Sequence, residues 1–128
     1  MSLTKGVVVH VIDDDADVRC GFSRLLRSAG HEVRDYESAE LFLDAIEEAE
    51  PGCVMLDVTM PGMTGAEMLA RLKDKQSSLP VIVVSARDNE SIHGLARELG
   101  AKMFLRKPVD DQALLDAINW VTQARADR

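Results

Sequence analysis

Six polar side chains in this 128-residue chain each come at or just past the end of a short apolar run. Asp13, Asp14 and Asp15 follow residues 7–12, Asp57 follows residues 53–56, Ser85 follows residues 81–84, and Lys107 comes just after residues 103–105. Gathered in one place, such carboxylates would repel one another, at a cost on the order of 4 kcal/mol for two unit charges 4 Å apart at an effective dielectric of 20. A hard divalent cation relieves that repulsion, and Mg²⁺ takes oxygen ligands of this kind together with water and phosphate oxygens. A cation beside Asp57 would also draw charge from an incoming phosphoryl group, so that the carboxylate can act as nucleophile. Lys107 offers a point positive charge for a phosphate oxygen and Ser85 a hydroxyl donor. The set suits phosphoryl transfer onto Asp57, with positioning and electrostatics supplying most of the catalysis. Taken singly, each residue has a plainer role: Asp13 to Asp15 as a turn and helix cap, Asp57 as turn chemistry, Ser85 as a loop cap, Lys107 as a surface lysine. Their joint placement is what carries information.

Placement depends on the elements between them. The β-branched run at residues 7–12 suits a strand covered on both faces. From Ala16 the period changes, and Val18, Phe22, Leu25, Leu26 and Ala29 fall on one face of a helix ended by Gly30. Residues 31–36 form a short polar strand suited to a position nearer a sheet edge. Ser38 caps a second helix with Leu41, Phe42, Ala45 and Ile46 turned inward, and Pro51-Gly52 closes it. Residues 53–56 make a third strand. Met60-Pro61-Gly62-Met63 reads as loop, and Thr64 caps a helix running to about Lys75. Pro80 introduces the strand at residues 81–84, a fourth helix runs from about Asn89 to Leu99 and stops at Gly100, and residues 103–105 are a last strand. The final helix has Asp110 or Asp111 as cap and Leu114, Leu115, Ile118 and Val121 as its stripe, with Trp120 roughly 160° from the stripe's centre-line.

Five strands alternating with five helices predict an α/β fold with a parallel sheet and right-handed crossovers. In an open parallel sheet, ligands bind outside the carboxyl ends of the strands. That rule sends the acids, the serine and the lysine to one sheet edge.

Composition narrows the function classes. Hydrophobic residues make up 46% and charged residues 29%, which is globular. Fifteen Lys and Arg against 22 Asp and Glu leave a net charge of −7, and no basic cluster is present, so direct nucleic-acid or anionic-membrane binding by this domain is not expected. No apolar run approaches the roughly 20 residues of a membrane span, and the N-terminus does not read as a signal peptide. Cys20 and Cys53 lie in apolar segments without ligand-like spacing, which suits a reduced, cytoplasmic protein. The expected organisation is a single domain over residues 1–128, with a core at about 6–123 and a tail or linker start at 124–128. There is no G-x-G-x-x-G after the first strand, no P-loop and no G-x-S-x-G elbow. His10, His31 and His93 share no ligand spacing, and His10, within the first strand, is expected in the core or on its face.

These residues resemble the response-regulator receiver domain of bacterial two-component signalling, of the CheY-like type. The resemblance covers about residues 6–123. It rests on Val11-Ile12-Asp13-Asp14-Asp15, on Leu56-Asp57-Val58-Thr59-Met60-Pro61-Gly62-Met63-Thr64-Gly65, on Val83-Val84-Ser85-Ala86, and on Gly100-Ala101 through Phe104 to Lys107-Pro108. It implies a flavodoxin-like (βα)5 three-layer sandwich with strand order 2-1-3-4-5. It implies that Asp57 accepts a phosphoryl group from a sensor histidine kinase or histidine phosphotransfer protein, and that Asp14, Asp57 and the Thr59 backbone carbonyl hold Mg²⁺, with Asp13 acting through water. Lys107 would pair with the phosphoryl group, Ser85 would be the switch hydroxyl, and Phe104 the aromatic switch. The implied output face, and a possible homodimer contact, is the fourth helix, fifth strand and fifth helix.

Three positions depart from the family's pattern. Ser85 stands where threonine is more frequent, Phe104 lacks a tyrosine hydroxyl, and Val109 replaces a commonly bulkier residue. Two other functions share such a pocket. An aspartate-nucleophile phosphohydrolase usually carries a second acid two residues after the nucleophile, where this chain has Thr59. A receiver used only as an interaction module would not need Asp14, Asp57, Ser85 and Lys107 together. The resemblance further implies that the switch controls a partner or a downstream effector domain, such as a DNA-binding transcription regulator.

Overall fold

The computed structural model describes residues 7–45, 52–58, 67, 71, 79–87, 90–98 and 100–126, with side chains described as far as 122. Five strands, β1 (Val8–Ile12), β2 (Glu32–Tyr36), β3 (Gly52–Asp57), β4 (Val81–Ser85) and β5 (Met103–Arg106), form one sheet in the order β2-β1-β3-β4-β5. Every neighbouring pair is parallel, with Val9 opposite Val33 and Cys53, Leu56 opposite Val83, and Val83 opposite Phe104. The described helices are α1 (Ala16–Ser28), α2 (Ala39–Ala45), α3 (Glu90–Glu98) and α4 (Asp111–Ala126). The expected flavodoxin-like order is therefore observed.

Side-chain alternation along the strands splits the core in two. Ile12, Val54, Leu56, Val81 and Val83 pack with Ala39, Phe42 and Leu43 of α2 and Ala96 of α3. Val9, Val11, Cys53, Met55, Ile82 and Val84 pack with Leu26 of α1 and Leu114, Ala117, Ile118 and Val121 of α4. The central strands are buried on both faces. The polar β2 lies at the sheet edge, with Glu32, Arg34 and Asp35 exposed. His10 is a core residue, its ring 5.6 Å from Phe42 and 6.2 Å from Tyr36, centroid to centroid.

The helix ends agree closely with the sequence. Ser38 Oγ accepts the Leu41 N–H at 3.2 Å, and Asp110, rather than Asp111, caps α4 by accepting the Ala113 N–H at 3.0 Å. Gly30, at φ 93°, takes the left-handed conformation that ends α1. Other positions differ. Because α2 starts at Ala39, its buried face is Ala39, Phe42 and Leu43, spaced i, i+3, i+4, and Leu41 is 47% exposed. Ala29 is the exposed C-cap of α1, and Ser23 is buried in its place. Gly52 opens β3 instead of closing the preceding helix. Of the helix expected at 64–75, Glu67 and Arg71 are helical and exposed; the rest of it, the 60–63 loop and Ile46 lie outside the described residues. No helix among the described residues is long and apolar enough to cross a membrane.

The two cysteines separate sharply. Cys20 sits about 200° around α1 from Val18 and is exposed, contrary to its apolar sequence neighbourhood. Cys53 is fully buried in β3, and that burial pushes its thiol up to about 12. Treatment of native protein with iodoacetamide near pH 8 is expected to add one group, at Cys20. The second should appear only after denaturation, as read by intact mass and peptide mapping.

His31, just before β2, accepts the Val7 N–H through Nδ1 at 3.2 Å. Burial disfavours its charged form and lowers its pKa from the ordinary 6.5. The unfolded chain therefore takes up a proton before the folded one does. Stability from this site is complete above pH 6.5 and is lost as pH falls through the lower folded value. In urea titrations from pH 7.5 to 5, His31→Gln is expected to show a shallower acid-side loss than the parent; parallel curves would refute this.

Candidate functional site

The ends of β1, β3, β4 and β5 meet at one edge of the sheet. At the end of β1, Asp13 is almost wholly buried, and its N–H donates to the Tyr36 carbonyl at 3.1 Å. Its Oδ1 accepts the Asp15 N–H at 2.9 Å and its Oδ2 accepts from Lys107 Nζ at 2.9 Å. Asp15 caps α1, accepting the N–H groups of Asp17 at 2.9 Å and Val18 at 3.2 Å. The plain helix-cap role thus falls to Asp15, while Asp13 turns into the site. Asp14, between them, is exposed.

Asp57 ends β3 and is buried, with Oδ2 accepting from Lys107 Nζ at 3.1 Å. Ser85 ends β4 and is fully buried. Its Oγ accepts the Arg87 N–H at 3.0 Å, and its carbonyl accepts the Lys107 N–H at 2.9 Å. That second bond extends the β4–β5 ladder by one residue and fixes where Lys107 leaves the strand. The Lys107–Pro108 peptide bond is cis. Phe104 is partly buried on the α3 side, with its ring centroid 4.3 Å from that of His93. Thr59 lies outside the described residues.

Carboxylate oxygens of Asp13, Asp14 and Asp57 lie within 4.8 Å of one another. Three carboxylates thus face the single Lys107 ammonium, an excess of two negative charges that one divalent cation would match. The electrostatics agree. Burial, with the Asp57 charge adding to it, holds the Asp13 carboxyl above its ordinary value despite the opposing bonds from Lys107 and Asp15. Burial alone would lower Lys107, but its hydrogen bonds and ion pairs with Asp13 and Asp57 outweigh this and raise it. The lysine is a fixed cation, and the pocket around it is short of positive charge. All-oxygen donors with two buried carboxylates and one exposed to solvent fit Mg²⁺.

Two neighbours were not anticipated from sequence. Arg19 Nη1 donates to the Asp13 carbonyl at 2.6 Å, and its Nε faces Asp35 Oδ2 at 3.4 Å. The available signal was a basic residue in the first turn of a helix, where the dipole disfavours it. His93 meets Phe104 across the gap between α3 and β5, and nothing in its spacing pointed there. Beside the site, Val18, Phe22 and Leu25 of α1 and Pro108 and Val109 line an open apolar groove of about 510 Å³ that reaches Lys107.

Residues 9–119 match the model of the response regulator receiver domain family. The transcriptional regulatory protein FixJ of Bradyrhizobium diazoefficiens is 42% identical over 111 residues, spanning 87% of this chain and 54% of that protein. The transcriptional regulatory protein TdiR of Thauera aromatica is 41% identical, spanning 87% of this chain and 49% of that protein. Among solved structures, FixJ-N superposes with a TM-score of 0.85 at 30% identity, covering 94% of this chain and 96% of that one. The chain spans about half the length of the curated relatives it matches.

Proposed function

We propose, from the premise that this chain belongs to the response regulator receiver domain family, that it is a phosphorylation switch with Asp57 as phosphoacceptor. The observation that carries this reading is the convergence of Asp13, Asp14, Asp57 and Lys107 at one sheet edge. An oxygen of Asp57 attacks the phosphorus of a phosphohistidine on a sensor kinase or phosphotransfer protein. The P–N bond breaks with its electron pair on the imidazole nitrogen, and a P–O bond forms, leaving an acyl phosphate on Asp57. Asp14, Asp57 and the Thr59 carbonyl, with Asp13 acting through water, would hold Mg²⁺, which would supply charge stabilisation for the phosphoryl oxygens. Both Asp13 oxygens already accept hydrogen bonds, from the Asp15 N–H and Lys107 Nζ.

Lys107 bridges both buried carboxylates before transfer and neutralises a phosphoryl oxygen after it. Ser85 accepts from the Arg87 amide, which leaves its hydroxyl proton for a phosphoryl oxygen. Its shift lets Phe104 reorient, and this alters the face made by α3, β5 and α4, where Trp120 is 58% exposed. That face serves homodimer or effector contact. The apolar groove beside Lys107 is suited to the hydrophobic flank of the phosphodonor. The named activity of the longer relatives supports a role in transcriptional control, exerted through an effector segment or a partner, in the cytoplasm.

The test is incubation with Mg²⁺ and acetyl phosphate, then intact-mass measurement. One labile phosphoryl increment is expected, absent when EDTA is included. No increment at any Mg²⁺ concentration would refute the switch, and sustained phosphate release from unrelated esters would favour a hydrolase.

A further inference from the structure

Asp13 is held on every polar atom that the fold makes available to it. Its amide, Oδ1 and Oδ2 are satisfied by Tyr36, Asp15 and Lys107. Its carbonyl is taken by the guanidinium of Arg19, six residues further along the chain, at 2.6 Å. The Arg19 backbone N–H closes the first turn of α1 on the Asp15 carbonyl at 2.9 Å. Arg19 therefore grips the Asp13-Asp14-Asp15 turn from both ends, by backbone at Asp15 and by side chain at Asp13. Its remaining reach goes to Asp35 on β2, at 3.4 Å, so the same side chain ties the turn to the sheet edge. Only 18% of the Arg19 side chain is exposed. Asp14, the exposed acid, sits inside that grip.

We propose that Arg19 is a positioning residue for the cation site, orienting the Asp13 and Asp14 carboxylates toward Asp57 by clamping the turn that carries them to the end of β2. This rests on the reading that Asp13, Asp14 and Asp57 hold Mg²⁺. Two effects of Arg19 on that ion oppose each other. As a cation near an acidic pocket it repels Mg²⁺, so its removal on charge grounds alone would tighten binding. As the clamp it sets ligand geometry, so its removal loosens binding; groups that orient metal ligands typically contribute about 10- to 100-fold in affinity. The bond to the Asp13 carbonyl is short, at 2.6 Å, whereas the charge of Arg19 is already offset by its pairing with Asp35. Positioning wins.

The experiment is calorimetric titration of Mg²⁺ into the parent, Arg19→Ala, Arg19→Lys and Asp35→Asn, with thermal unfolding of each in EDTA. Arg19→Ala is expected to bind Mg²⁺ about 10-fold more weakly although it removes a positive charge. Arg19→Lys keeps the charge and reaches one of the two acceptors, so a loss of about 3-fold is expected, and Asp35→Asn a loss of similar size. Unchanged or tighter binding in Arg19→Ala overturns the inference, as does a lower unfolding temperature in EDTA with unchanged affinity, which marks a merely structural role. If Arg19→Ala does not fold, Arg19→Lys decides, and parent-like affinity overturns the proposal. Failure of the parent itself to bind Mg²⁺ overturns the cation reading and this inference together; binding by the parent with insensitivity to Arg19 overturns this inference alone.

Discussion

Asp57→Asn is expected to take up no phosphoryl group from acetyl phosphate under conditions that fully label the parent, a fall of at least about 1000-fold in rate. The amide has no anionic oxygen to attack phosphorus, and the other buried carboxylate is engaged. Asp13 commits both oxygens to Lys107 and to the Asp15 amide. The same substitution should leave the fold intact. Lys107 keeps its 2.9 Å bond to Asp13, and loss of the Asp57 charge removes a repulsion that raises the Asp13 carboxyl. Unfolding stability in EDTA is therefore expected to be unchanged or higher, by up to about 2 kcal/mol. The stabilisation that Mg²⁺ adds should shrink, because one ligand is weakened. Intact mass and thermal unfolding with and without Mg²⁺ check both halves. An unfolded Asp57→Asn protein would mean that the acid serves the architecture, not the chemistry.

Gly52→Ala is expected to cause the largest loss of stability of any glycine-to-alanine change among the described residues. Gly52 pairs with Val8 at the start of β3, and a Cβ built there falls inside the van der Waals surface of the Val8 carbonyl oxygen. The obstacle is backbone of the neighbouring strand, so no side-chain rotation relieves it. Either β1 shifts, disturbing the Val9 and Val11 packing, or the first β1–β3 pair is given up. The expected cost is about 3 kcal/mol, or roughly 10 °C in a domain of this size. Gly21→Ala, where an added Cβ meets nothing within 4 Å, is the control: it should raise helix stability by up to about 1 kcal/mol. Chemical denaturation of the two variants beside the parent tests the contrast, and a Gly52→Ala midpoint equal to the parent's would refute it.

The same glycine shows where sequence patterns stop being informative. Pro51-Gly52 has the composition of a helix stop, and only the pairing partner, 44 residues away in the chain, reveals that Gly52 is a strand residue under contact pressure. The strands themselves were legible, because apolar runs buried on both faces leave a continuous signature in Val9, Val11, Cys53, Met55, Ile82 and Val84. So was the meeting of Asp13, Asp57 and Lys107, since parallel strands must end on one edge. Rotation about a helix axis was harder to read. Leu41 and Cys20 lie in apolar neighbourhoods yet face outward, since each step along a helix turns the side chain by about 100°, so a residue one or two places from an inward-facing one points elsewhere. Arg19 was illegible for another reason: its partner is a backbone carbonyl, which has no sequence identity.

Trp120 is the only tryptophan in the chain, and more than half of its surface is open to solvent on α4. An indole in water emits at longer wavelength than one covered by protein. The molecule therefore carries its own optical reporter on the face proposed for output. A blue shift and reduced access to iodide when Asp57 is labelled would report closure of that face by a second copy. No added dye is needed, and the signal is free of interference from any second tryptophan.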